Sequence, residues 1–116
     1  MAKELFISKE FTFDSAHKLE WHEGKCKNLH GHTFKLEVVI KGKVDKNGII
    51  IDFKDFKKIV NEKVIELLDH EYLNEVVENP TAENLVVWIW DQLKEFLNLH
   101  EIKLWETPTS SAIYRG

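Results

Sequence analysis

Thr33-Phe34-Lys35-Leu36-Glu37-Val38-Val39-Ile40-Lys41-Gly42-Lys43-Val44 is the stretch from which the fold is read. Phe34, Leu36, Val38 and Ile40 alternate with charged Lys35, Glu37 and Lys41. That period of two predicts a strand with one apolar face. Asp45-Lys46-Asn47-Gly48 follows as a turn signal. Ile49–Ile51 is then expected to run back beside this strand as a short third strand. Upstream, Leu5–His17 reads as a first strand, on which Phe11, Phe13, Ser15 and His17 share a face. Lys18–Leu29 is polar, contains Gly24 and reads as the loop between the two.

Downstream the period changes. Asp52 followed by Asp55 resembles a helix start, an N-cap with an acidic first turn. Phe53, Phe56, Ile59, Val60, Val64, Leu67 and Leu68 keep helical spacing. Asp69–Asn79 connects. Pro80-Thr81-Ala82-Glu83 opens a second helix with Thr81 as its N-cap. Leu85, Trp88, Ile89, Leu93 and Phe96 form its stripe, and Val86, Val87 and Trp90 add more apolar surface than one buried face requires. Ile102–Trp105 and Ser110–Tyr114 read as two closing strands around Pro108. Neighbouring strands joined by turns favour an antiparallel sheet. Two helices grouped in sequence favour covering one face of it, an α+β two-layer arrangement. The other face must then meet water or another subunit.

At 116 residues the chain is expected to form one domain, spanning 1–116. A hydrophobic content of 43% with 31% charged residues excludes low-complexity disorder. No apolar run approaches the ~20 residues of a membrane span, and no signal core follows Met1. A net charge of −4 argues against nucleic acid as a partner, which requires a concentrated basic face. The lone cysteine excludes an internal disulfide framework, so a reducing cytoplasm is the expected compartment.

The sharpest local feature is Cys26-Lys27-Asn28-Leu29-His30-Gly31-His32. Two histidines at alternate positions of an extended chain project to the same side. In an antiparallel pair the end of the first strand lies beside the start of the second. His17, His30 and His32 can therefore meet at one edge of the sheet. Three imidazoles with an open fourth position is the pattern of a catalytic zinc site, against the plain alternative of three neighbouring surface histidines. Cys26 is open to two readings: a fourth zinc ligand, or a base beside the metal. Asp69-His70 is either a helix-terminal pair or a carboxylate orienting an imidazole for proton transfer. Glu106 is either a solvated charge or an anchor for an amidine-like ligand edge, the reverse of an Arg–carboxylate fork.

Taken in order, several motifs carry a resemblance. They are Phe13-x-x-Ala16-His17, Cys26-x-x-x-His30-Gly31-His32, Asp52-Phe53, Leu68-Asp69-His70-x-Tyr72-Leu73-Asn74, Asn79-Pro80-Thr81-x-Glu83 and Glu106-Thr107. This set resembles the 6-pyruvoyl-tetrahydropterin synthase family. The spacing between Cys26 and the His-Gly-His triplet matches its queuosine-pathway branch, 6-carboxy-5,6,7,8-tetrahydropterin synthase. Ser15 departs from the alanine frequent there. The resemblance implies a tunnelling fold, in which an antiparallel sheet carries two helices on one face and subunits join their sheets into a barrel. It implies a homo-oligomer, a hexamer made as a dimer of trimers. It implies zinc on His17, His30 and His32, with Cys26 as base, Asp69 and His70 as a proton relay from a neighbouring subunit, and Glu106 on the pterin edge.

The implied reaction converts 7,8-dihydroneopterin triphosphate to 6-carboxy-5,6,7,8-tetrahydropterin, acetaldehyde and triphosphate. Two sister activities stand beside it: 6-pyruvoyl-tetrahydropterin synthesis, and an aldolase-like cleavage to 6-hydroxymethyl-dihydropterin. Retained Cys26 counts against the aldolase. A zinc-stabilised oligomer that binds a pterin without turnover is the non-enzymatic alternative.

Overall fold

The computed structural model describes residues 3–116. Two long strands, β1 (Glu4–His17) and β2 (His30–Lys43), pair antiparallel from Glu4 opposite Lys43 to His17 opposite His30. The register is strongly specified, because slipping by one residue would turn Phe11, Phe13, Phe34, Leu36, Val38 and Ile40 to solvent. The sheet is completed by β3 (Leu99–Thr107) and β4 (Ser110–Tyr114) in the order β1-β2-β3-β4, antiparallel throughout.

The expected strand Ile49–Ile51 is absent. Gly48 closes the turn with a φ of 83°, a conformation that suits glycine, and the chain then bends into the first helix. The physical reason is occupancy: β2 already has β1 on one side and β3 on the other. Ile50 and Ile51 instead pack against the core, while Ile49 stays exposed. Ile50 lies so close over Gly42 that a β-carbon there would come within 3.0 Å of it.

Helix α1 (Phe53–Val60) begins as expected, with the Asp52 carboxylate accepting from the Lys54 N–H at 2.8 Å. It runs through a π-helical turn, Asn61–Ile65, into a last α-helical turn, α2 (Glu66–Leu68). Phe56, Val60, Val64 and Leu68 are all fully buried and lie four residues apart. A pure α-helix would rotate such a series by about 40° per step. The wider π turn offsets that drift and keeps all four on the core. The Gln92 side chain donates to the Lys63 carbonyl inside this turn at 3.1 Å.

Helix α3 (Ala82–Leu93) is capped by the Thr81 hydroxyl, which accepts from the Asn84 N–H at 3.1 Å. It buries Leu85, Val86, Ile89 and Leu93. Phe96, expected on this stripe, lies beyond the helix and is 51% exposed, with the Lys63 ammonium 4.5 Å from its ring centroid. The helices join the inward residues of the sheet, among them Ile102 and Leu104, in one apolar core. The opposite face, with Thr12, Glu37 and Lys103, is left without a covering layer among the described residues. No helix is long and apolar enough to cross a membrane among the described residues.

Candidate active site

The last pair of the β1–β2 ladder is His17 opposite His30, and His32 lies two residues further on the same face. The sheet therefore places three imidazoles together, with ring centroids 4.5, 5.2 and 4.8 Å apart. Each offers a nitrogen, and these nitrogens all lie within 4.8 Å of one another.

The second nitrogens of two rings are already used. His17 Nδ1 donates to the Pro80 carbonyl at 2.9 Å, and His30 Nδ1 donates to the Asn28 carbonyl at 2.7 Å. In the neutral ring this leaves a bare Nε2 facing the cluster, the arrangement of a metal-ligating histidine. His17 Nε2 and His30 Nε2 are both buried without a hydrogen-bond partner. Orphaned buried acceptors are costly, of order 1–3 kcal/mol each. A cation shared by the three rings removes that cost, so the residues present fit a metal ion.

Glu106 approaches the same point. It is the unpaired residue of a β-bulge, between Trp105 opposite Ser111 and Thr107 opposite Ser110. Bulges re-aim a side chain, and this one puts Glu106 Oε1 3.2 Å from His17 Nε2 and 3.8 Å from His32 Nε2. The contact with His17 is within ion-pair reach but lacks hydrogen-bond alignment. The nearby His17 ring holds the Glu106 carboxyl below its ordinary range, against the opposing effect of burial. Burial lowers the pKa of His17, but the Glu106 carboxylate and the Pro80 carbonyl together outweigh it and raise the value above normal. For His32 burial dominates, assisted by the other two rings, and the pKa falls despite the pull of Glu106.

Cys26 occupies a single 3-10 turn, Lys25–Lys27, and is half-buried. Its carbonyl accepts from the Leu19 N–H at 2.8 Å, which folds the loop back toward the end of β1. Its sulfur is not one of the atoms gathered with the three imidazole nitrogens.

Asp69 and His70 follow α2 directly. Asp69 Oδ1 accepts from the Asp14 N–H at 3.0 Å, and Oδ2 lies 3.2 Å from His70 Nδ1. The His70 N–H donates to the Asp14 carbonyl at 2.6 Å. These bonds hold His70 in the left-handed region with φ 59°. The buried Ser15 hydroxyl fixes the preceding turn by donating to the Leu68 carbonyl. A cleft of about 590 Å³ runs past Asp14, Ser15, His32, His70 and Tyr72. A second, of about 600 Å³, runs past His32, Lys35, Trp105, Glu106 and Thr107. His32 lines both, so Asp69-His70 and Glu106 approach the cluster from opposite sides of β2.

The sequence reading did not foresee the Asp14 link or the Pro80 and Asn28 carbonyls. Backbone acceptors have no residue signature. The sequence offers only the Asn79-Pro80-Thr81 motif itself, whose proline the structure finds buried.

Fold and site together define an antiparallel α+β protein with a three-histidine group suited to a metal ion, open to two clefts. The model of 6-pyruvoyl tetrahydropterin synthase matches residues 6–116, and the chain belongs to that family, as a lyase-type enzyme. It is 41% identical over 137 aligned residues to a 6-carboxy-5,6,7,8-tetrahydropterin synthase of Haemophilus influenzae, covering 94% of this chain and 97% of the relative. It is 42% identical over 102 aligned residues to a dihydroneopterin monophosphate aldolase of Pyrococcus furiosus, covering 82% and 83%. The structure of 6-pyruvoyl tetrahydropterin synthase from Caenorhabditis elegans superposes with a TM-score of 0.89 at 26% identity, over 99% of this chain and 97% of that one.

Proposed function

We propose that this protein converts 7,8-dihydroneopterin triphosphate and water to 6-carboxy-5,6,7,8-tetrahydropterin, acetaldehyde and triphosphate, in cytoplasmic queuosine biosynthesis. The observation that carries the reading is the pair of buried, unpartnered Nε2 atoms of His17 and His30 beside His32. A donor set of three neutral imidazoles is typical of catalytic zinc. The Haemophilus influenzae relative, alike over nearly the whole chain, supports the choice of product.

His17, His30 and His32 would hold a zinc ion, which would supply Lewis acidity toward the substrate's side-chain oxygens. Cys26, in its exposed turn, takes a proton from the substrate side chain as thiolate. Asp69 orients His70, which returns a proton at another position. Glu106 lines the second cleft with Trp105 and Thr107 and pairs with the amino-pyrimidine edge of the pterin.

The working unit is a single domain in a homo-oligomer. β1 and β4 are edge strands, and Leu5 and Phe6 on β1 are 46% and 54% exposed. Edges of this kind invite pairing with another copy. A barrel of joined sheets, stacked as a dimer of trimers, covers them.

A second reading is favoured by the Pyrococcus furiosus relative: cleavage of a dihydroneopterin phosphate to 6-hydroxymethyl-dihydropterin. One assay separates the readings. Mass spectrometry of the products from dihydroneopterin triphosphate should give 6-carboxy-tetrahydropterin with acetaldehyde. A 6-hydroxymethyl product would establish the aldolase reading, and a 6-pyruvoyl product the synthase after which the family is named.

A further inference from the structure

Asn74 and the Asn79-Pro80-Thr81 turn supply no group to the chemistry proposed above, yet both close on His17. Asn74 lies against Lys18, the residue after His17. Its Oδ1 accepts from the Lys18 N–H at 2.9 Å, and its Nδ2 donates to the Lys18 carbonyl at 2.7 Å. An amide side chain thus bonds both backbone groups of Lys18, as a neighbouring strand would. It does so one residue beyond the last β1–β2 pair, where the ladder has ended.

The second motif reaches the ring itself through the Pro80 carbonyl on His17 Nδ1. That carbonyl belongs to a turn pinned on several sides. The Asn79 carbonyl accepts from Asn84 Nδ2 at 2.8 Å and from the Thr81 N–H at 2.9 Å. Trp21 Nε1 donates to Asn79 Oδ1 at 2.8 Å. With the Asn79 carbonyl committed to the first turn of α3, the next one, of Pro80, is directed at His17. A carbonyl bound at Nδ1 determines which ring nitrogen is bare and how the ring is turned.

We propose that Asn74 and Asn84 are positioning residues for His17, holding its ring in the tautomer and orientation that present Nε2 to a bound metal ion. The proposal rests on the reading of His17, His30 and His32 as ligands. It assigns a role to two asparagines that hydrogen-bond none of the three histidine rings.

Asn84→Ala is the informative variant. Asn84 is exposed, its backbone bond to the Thr81 hydroxyl survives the change, and alanine is the better helix former. The fold should therefore keep its stability. Asn74→Ala is the second variant. Zinc affinity is measured by competition with a chromophoric chelator. His17 tautomer is read from imidazole ¹⁵N shifts of the zinc-free protein at mildly alkaline pH. The parent should show a single Nδ1–H form and bind one zinc per chain. Each variant should bind zinc measurably more weakly, by less than the roughly 10–100-fold that follows loss of a ligand's own outer partner, because the Pro80 carbonyl remains in place. Asn84→Ala should also show a mixture of His17 tautomers at an unchanged melting temperature of the zinc-free form. A parent that binds no zinc overturns the ligand reading and the proposal with it. A parent that binds zinc, with variants of equal affinity and a single tautomer, overturns the proposal alone. A loss of affinity that only tracks a lower melting temperature, with the tautomer unchanged, also overturns it.

Discussion

His17 and His70 each stand at the end of a secondary-structure element, and the fold treats them in opposite ways. His17 closes β1, is fully buried, and has its ring fixed by the Pro80 carbonyl. His70 follows α2 with its side chain 78% exposed and its backbone at φ 59°. The burial of His17 would be a liability for a lone imidazole and becomes an asset only where its bare nitrogen meets a cation. The exposure of His70 suits a group that meets its substrate from outside. One chain thus gathers the three-histidine cluster and leaves the Asp69-His70 pair open on the cleft that His32 also lines.

The largest expected effect breaks the buried side of this comparison. His17→Ala, His30→Ala and His32→Ala should each lose stoichiometric zinc and with it activity, because each removes one of only three protein ligands. Zinc per chain, measured on gel-filtered protein, checks this. Full occupancy in all three variants would return the cluster to ordinary packing.

Cys26 comes next. Its sulfur is absent from the set of converging nitrogens. Cys26→Ala should accordingly keep zinc and assembly while turnover falls ~10²–10⁴-fold, the usual worth of a positioned acid or base. Metal content, substrate affinity and rate on one preparation decide it. Lost zinc would restore the ligand role, and retained turnover would remove Cys26 from the mechanism.

Glu106→Gln tests the group between the two regions. If its carboxylate holds the pterin edge, substrate binding weakens by about 1.5–3 kcal/mol, the worth of a hydrogen bond to a charged group, with zinc retained. If it serves the metal cluster instead, zinc affinity changes while the Michaelis constant does not. The structure makes the test necessary, since Glu106 both contacts His17 and lines the second cleft.

What could be read in advance follows the range of the interaction. The alternation in β2 and the caps Asp52 and Thr81 are local, and each stands where its pattern put it. The meeting of three histidines was legible because antiparallel pairing brings two strand ends together whatever else happens. The strand Ile49–Ile51 failed on a non-local fact, the occupation of both edges of β2 by β1 and β3. The π turn left a trace in the four-residue spacing of Phe56, Val60, Val64 and Leu68. The bulge at Glu106 left none, because it depends on how β3 meets β4.

The smallest expected effect sharpens the exposed side. A left-handed backbone costs an ordinary residue roughly 1–2 kcal/mol, though histidine is found there more often than most. Glycine at position 70 would be free of that cost, while losing more conformational freedom on folding, roughly 0.5–1 kcal/mol. His70→Gly should therefore leave stability unchanged or raise it by no more than about 1 kcal/mol. The bonds from the His70 N–H to Asp14 and from the Asp14 N–H to Asp69 involve no atom of the His70 ring and should persist. Turnover should fall if the His70 ring relays a proton, while zinc stays on His17, His30 and His32. Denaturant unfolding of the zinc-loaded protein, beside its rate, tests both halves. A marked loss of stability would show that the ring supports the fold. Stability held with activity lost would mean that a strained, exposed histidine is kept at the end of α2 for its chemistry.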